Sequence, residues 1–114
     1  MAKNDYFPIV FRILAYLYAC LKAGEAPDIE YLKPDSEALL ICPAYWEYIM
    51  RHLLEDGYLE GVKLVPVVGR ELPAVKLTLA VMITPKGIEF LQENSMMNKA
   101  KKLLKSLKES IPGL

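Results

Sequence analysis

The sequence predicts a mostly helical α+β domain, and three observations carry that class. Apolar residues recur at helical spacing over 6–22, 43–56 and 97–111. Two runs rich in β-branched residues, 58–65 and 75–83, flank a Gly69-Arg70 pair. Residues that cap or break helices stand at the segment borders: Gly24, Pro43, Gly57, Thr84-Pro85 and Pro112-Gly113. At 114 residues and 54% apolar content, one domain of this size buries roughly two thirds of its unfolded surface, enough to fold without disulfides or a structural metal.

Asn4 or Asp5 can cap the first helix, and Pro8 is tolerated in a first turn whose N–H groups lack intrahelical partners. The helix is expected to run to about Lys22 and stop at Gly24. Its apolar residues form two adjacent stripes, Ile9, Ile13, Tyr16 and Cys20 beside Val10, Leu14, Leu17 and Leu21. That arc is wider than the ~100° of a surface helix, so a second packing partner is expected. Between Glu25 and Cys42, Pro27, Pro34 and several acids predict a short helix near Asp28 to Leu32, then a turn and an extended piece. A clearer helix starts at Pro43 and ends at Asp56-Gly57, burying Trp46, Ile49, Met50 and Leu53 and presenting Ala44, Glu47, Tyr48, Arg51 and Glu55 on its other face.

A hairpin centred on Gly69-Arg70 would use them as a two-residue turn, setting Val62 against Leu77, Leu64 against Val75 and Lys63 against Lys76. Pro66 and Pro73 would then face each other, so the tip, about Val65 to Ala74, is expected to be irregular. Thr84 caps the next helix with Pro85 in its first position, and Ile88, Phe90 and Leu91 supply its apolar contacts. Asn94-Ser95 separates it from a last helix with a stripe of Met97, Ala100, Leu104, Leu107 and Ile111.

Three helices followed by a β-hairpin are the layout of a winged helix-turn-helix domain with an added C-terminal helix, residues 1–94 forming the winged-helix domain and 95–114 an amphipathic helix packed on it or on a second subunit. The passages Asp56-Gly57-Tyr58, Thr84-Pro85-Lys86-Gly87-Ile88-Glu89 and Glu93-Asn94-Ser95-Met96-Met97 carry a more specific likeness. Over nearly its whole length the chain resembles the YjcQ family of small winged-helix proteins from phages, prophages and Gram-positive bacteria. The resemblance implies the winged-helix fold and a phage or prophage setting; it brings no established activity and no catalytic residues.

In a winged helix the third helix is the one offered to a DNA major groove. Tyr45, Tyr48 and Arg51 are its candidate contacts, but Arg51 stands four residues from both Glu47 and Glu55 and is expected to pair with them. His52 borders the buried stripe and reads more simply as a packed residue. On the hairpin, Lys63, Lys76 and Arg70 could approach phosphates. The plainer reading is a solvated hairpin whose lysines discourage edge-to-edge pairing.

The formal net charge is zero, which removes the simplest argument for a nucleic-acid binder. It is nonetheless a cancellation: residues 1–94 hold nine cations and thirteen acids (9 − 13 = −4), and residues 95–114 hold five lysines and one acid (5 − 1 = +4). The basic segment reads either as a helix that lies on an anionic surface or as one that buries its Met/Leu stripe and solvates its lysines. In the second case Ile9, Ile13 and Tyr16 of the first helix would meet Met97, Ala100, Leu104, Leu107 and Ile111, within one chain or across a homodimer.

No phosphate loop, nucleophile elbow or metal-ligand spacing is present, and a single His excludes two-His motifs, so neither catalysis nor a metal or other cofactor is expected. Cys20 and Cys42, in apolar settings, read as inert core thiols. The apolar stretch Tyr6 to Leu21 carries Arg12 and follows Asp5, and its sixteen residues fall short of the ~20 of a spanning helix. A cytoplasmic protein with no membrane partner is the expectation. Two functions stay open: a DNA-associated or regulatory accessory protein, and a protein-interaction module that keeps the scaffold without binding DNA.

Overall fold

The computed structural model of the chain describes residues 3–94. These form an α+β domain of three α-helices, one 3₁₀ turn and a two-stranded antiparallel sheet. In chain order they are α1 (Tyr6–Ala23), the 3₁₀ turn (Ile29–Leu32), α2 (Pro43–Glu55), β1 (Leu59–Val65), β2 (Ala74–Ile83) and α3, helical over 85–94. The stripe Met97 to Ile111 lies outside the described residues.

Helix α1 follows Asp5 at its N-cap position and ends where Gly24 turns left-handed, at φ 70°. There the Gly24 N–H bonds the Leu21 carbonyl and the Glu25 N–H the Cys20 carbonyl, closing carbonyls the helix leaves open. Both apolar stripes face inward up to the last turn, where Leu21 is 44% exposed: Ile9, Val10, Ile13, Leu14 and Leu17 are at most 1% exposed. By length and mean hydropathy (1.3) α1 is apolar enough to cross a membrane, yet those five side chains belong to the domain's core.

Segment 25–42 is anchored by single side chains. Asp28 caps the 3₁₀ turn by accepting the Glu30 N–H, and its own N–H bonds the Tyr16 phenol oxygen at 2.8 Å. Leu32 and Leu39 plug the core. The expected short helix is thus a single 3₁₀ turn. The expected extended piece is a run of turns, with the Leu39 and Leu40 N–H groups both bonded to the Ser36 carbonyl.

Helix α2 buries Trp46, Ile49, Met50 and Leu53 as its periodicity predicts. Its end is closed by Gly57 at φ 77°, with the Tyr58 N–H bonded to the Leu53 carbonyl. The hairpin has the expected outer register, Val62 with Leu77, Lys63 with Lys76 and Leu64 with Val75, and regular pairing extends one step into the tip expected to be irregular, to Val65 with Ala74. Pairing stops there. The tip turns over Val67–Arg70, with the Arg70 N–H on the Val67 carbonyl, so the tight turn sits one residue before the expected Gly69-Arg70.

Nearer the core the register changes to Leu59 with Ile83 and Glu60 with Met82. Gly61 alone therefore faces residues 78–81 of β2, a bulge that the continuous reading of 75–83 did not foresee. A side chain on Gly61, at φ 78°, would collide with the Ala80 carbonyl, and Thr78 donates its hydroxyl to the Gly61 carbonyl at 2.6 Å.

Thr84 is the clasp of the fold. Its hydroxyl donates to the Gly57 carbonyl, its oxygen accepts the Gly87 N–H at 3.1 Å as the cap of α3, and its own N–H bonds the Tyr58 carbonyl. One residue thus ties the end of α2, the start of β1 and the start of α3. Thr84→Ala is expected to lower unfolding free energy by roughly 0.5–2 kcal/mol, the range for a lost N-cap, in urea titrations.

Candidate functional site

The exposed face of α2 carries Ala44, Tyr48, Arg51 and Glu55, because the buried residues occupy the opposite side of the helix. Tyr48 is exposed, with its ring 4.4 Å from that of His52 and edge-on to Tyr6 at 6.3 Å. Tyr45 lies on the flank toward α1 and donates its phenol to the Asn4 carbonyl at 3.1 Å. Burial, and then the charge of Asp5, raises that phenol above its ordinary value. Tyr45 therefore fastens the start of α1.

The local pairing expected for Arg51 does not form. Glu47 pairs instead with Arg70 at 3.0 Å, and Glu55 lies 3.9 Å from the His52 ring nitrogen. Arg51 has no ion pair or hydrogen bond among the described residues and keeps its charge at the exposed face of α2. Arg70 crosses from the hairpin tip to the flank of α2, where the Glu47 side chain is only 19% exposed. A double-mutant cycle on Glu47→Gln and Arg70→Gln is expected to give a coupling of about 0.5–1 kcal/mol that shrinks with added salt.

Lys63 and Lys76 sit on the other side of the hairpin. Val62 and Leu77 point to the core, so strand alternation turns the two lysines between their neighbours outward, away from α2. The six candidate contacts therefore divide among three places: Tyr48 and Arg51 on α2, Arg70 held by Glu47, and Lys63 with Lys76 on the far face, while Tyr45 is engaged at α1.

Of the candidate helix–helix contacts, Ile9 and Ile13 lie in the core, and Tyr16 packs its ring 4.2 Å from that of Tyr31 while holding Asp28. Their intended partners Met97, Ala100, Leu104, Leu107 and Ile111 are outside the described residues.

Two apolar features stand out that sequence reading passed over. The hairpin tip presents Val67, Val68 and Leu72 to solvent, with Val68 fully exposed. At the other end of the hairpin the bulge pushes Leu79 out to 89% exposure beside a cleft of about 350 Å³, walled by Leu21, Ala26, Pro27 and Met82. Gly61 inside a strand was the available signal for that bulge.

These side chains lie at the surface of a small α+β domain. The chain belongs to the YjcQ family: the family model described as YjcQ protein matches residues 11–110. No curated protein and no solved structure matches it.

Proposed function

We propose that the chain is a winged-helix protein that acts by binding another protein, with the β1–β2 hairpin as its wing and the wing tip as the docking element. The order helix, short turn, helix, hairpin and membership of the YjcQ family support the winged-helix assignment. The observation that carries the function is at residues 66–73. Their one cation, Arg70, is neutralised by Glu47, while Val67, Val68 and Leu72 face water. Removing apolar surface from water is worth about 25 cal/mol per Å², so such a tip gains by entering an apolar pocket and gains nothing from phosphate. We place the protein in the cytoplasm, in a phage or prophage setting, as an accessory factor with no catalytic step of its own.

A second reading, DNA association, is favoured by Arg51, which has no ion pair among the described residues, beside Tyr48 on α2, and by the five lysines of 95–114. Two parallel measurements separate them. Affinity capture from a host lysate with wild type and Val68→Asp is expected to yield a protein retained only by wild type. Anisotropy titration on random duplex at about 50 mM salt is expected to show no binding. Duplex binding that falls with salt by about −0.9 in slope per neutralised phosphate and weakens in Arg51→Ala would instead establish the DNA reading.

A further inference from the structure

Two surface rings of the domain carry cations of their own chain: the Lys22 ammonium lies 4.4 Å from the centre of the Tyr18 ring, and that of Lys86 lies 5.6 Å from the centre of Tyr58. Both fall within the ~6 Å reach of cation–π attraction. A third aromatic group has no such cation among the described residues. It joins the start of α1 to α2. The Tyr6 ring stands at 88° to that of Phe7, 5.1 Å away, and at 78° to that of Tyr48, 6.3 Å away. Edge-on contacts leave much of a ring's face uncovered, and Phe7 and Tyr48 are 54% and 48% exposed.

The surroundings of these rings are negative. Helix α2 ends beside them, with Glu55 as its last residue and Asp56 as its cap. Asp56 is close enough to Tyr6 that its charge, after burial, raises the Tyr6 phenol above its ordinary value. The Asp56 carboxylate has no hydrogen bond or ion pair among the described residues, and Glu55 has only the His52 ring nitrogen, 3.9 Å away. The negative end of the α2 dipole adds to the pull on a cation. Helical spacing puts Arg51 on the opposite side of Tyr48 from His52 and Tyr45, and Tyr45 is the side chain that reaches α1.

We infer that Tyr6, Phe7 and Tyr48, together with Asp56, form a site for an arginine side chain of a partner protein.

A planar guanidinium can lie on a ring face while its N–H fork reaches a carboxylate, which a compact ammonium does less well. Phosphates of a nucleic acid would instead meet Glu55 and Asp56. The site does not involve the hairpin tip, so it holds whatever the tip contacts.

Nuclear magnetic resonance on the full chain tests it, with N-acetyl-arginine amide as the probe at low salt. The ring protons of Phe7 and Tyr48 are expected to shift and saturate in the millimolar range, as a few contacts on an exposed surface allow. The citrulline analogue, equal in shape but uncharged, is expected to bind at least about ten-fold more weakly. Tyr48→Leu and Asp56→Asn, read at Phe7, are each expected to weaken arginine binding several-fold while Trp46 emission stays native. Phe7→Leu, read at Tyr48, takes the place of either variant that fails to fold. Val68→Asp is expected to bind as wild type does, which keeps this result separate from that for the tip. No saturation below about 50 mM, equal binding of citrulline, or undiminished binding in the folded variants overturns the inference. Tighter binding of N-acetyl-trimethyllysine amide also overturns it, because the ligand is then an alkylated ammonium, and so does duplex DNA that shifts these rings when the arginine probe does not.

Discussion

Gly87→Ala is expected to lower the thermal midpoint by roughly 10–20 °C, about 3 kcal/mol in a domain of this size. Helix propensity alone predicts the opposite sign, since alanine outranks glycine by about 1 kcal/mol inside a helix. The structure reverses it because a Cβ on Gly87 would overlap the Tyr58 carbonyl and press on the Ile83 side chain. Neither neighbour can give way. The Tyr58 carbonyl accepts the Thr84 N–H, Ile83 is in the core, and the Gly87 N–H is held by the Thr84 hydroxyl. Calorimetry on the single variant reads the sign directly, and a midpoint at or above wild type would mean that α3 does not press against Tyr58 in solution.

Trp46→Ala is expected to cost about 3–5 kcal/mol, the range for an aromatic side chain cut from a core. Two losses combine. The ring belongs to the core between α2 and its neighbours, and its indole N–H donates to the Leu32 carbonyl at 2.8 Å. That bond joins α2 to the 3₁₀ turn, an element too short to hold itself in place. Trp46→Phe keeps most of the apolar volume and orphans the carbonyl, for about 1–3 kcal/mol, so the pair of variants separates packing from hydrogen bonding. The chain has a single Trp, and unfolding of both variants is therefore followed by far-UV circular dichroism.

What was legible in the sequence is what depends on near neighbours. The buried face of α2, the Gly24 and Gly57 stops and the Thr84 cap follow from spacings of a few residues. So does the outer hairpin register, because Lys63 opposite Lys76 on one face and Val62 opposite Leu77 on the other satisfy both strands at once. What escaped depends on contacts distant in sequence. Glu47 had Arg51 one helical turn away but takes Arg70, twenty-three positions on, because the hairpin folds back over α2. The bulge escaped because residues 75–83 read as an unbroken strand, although Gly61 across from them signalled the close approach. On α1, two inward stripes drew attention from Phe7 and Phe11, which are exposed beside them.

The register change at Gly61 also divides the hairpin by origin of restraint. The inner pairs, Leu59 with Ile83 and Glu60 with Met82, are fixed by the Thr84 junction and the core; the outer pairs, from Val62 to Val65, are rooted by Val62 and Leu77 on the core and beyond them are set by one another and by Arg70 on Glu47. An insertion or deletion beyond Val62 and Leu77 would lengthen or shorten the projecting arm while leaving the body's register untouched. The arm is thus a replaceable part, and a different tip could be grafted onto the same body without redesigning its core.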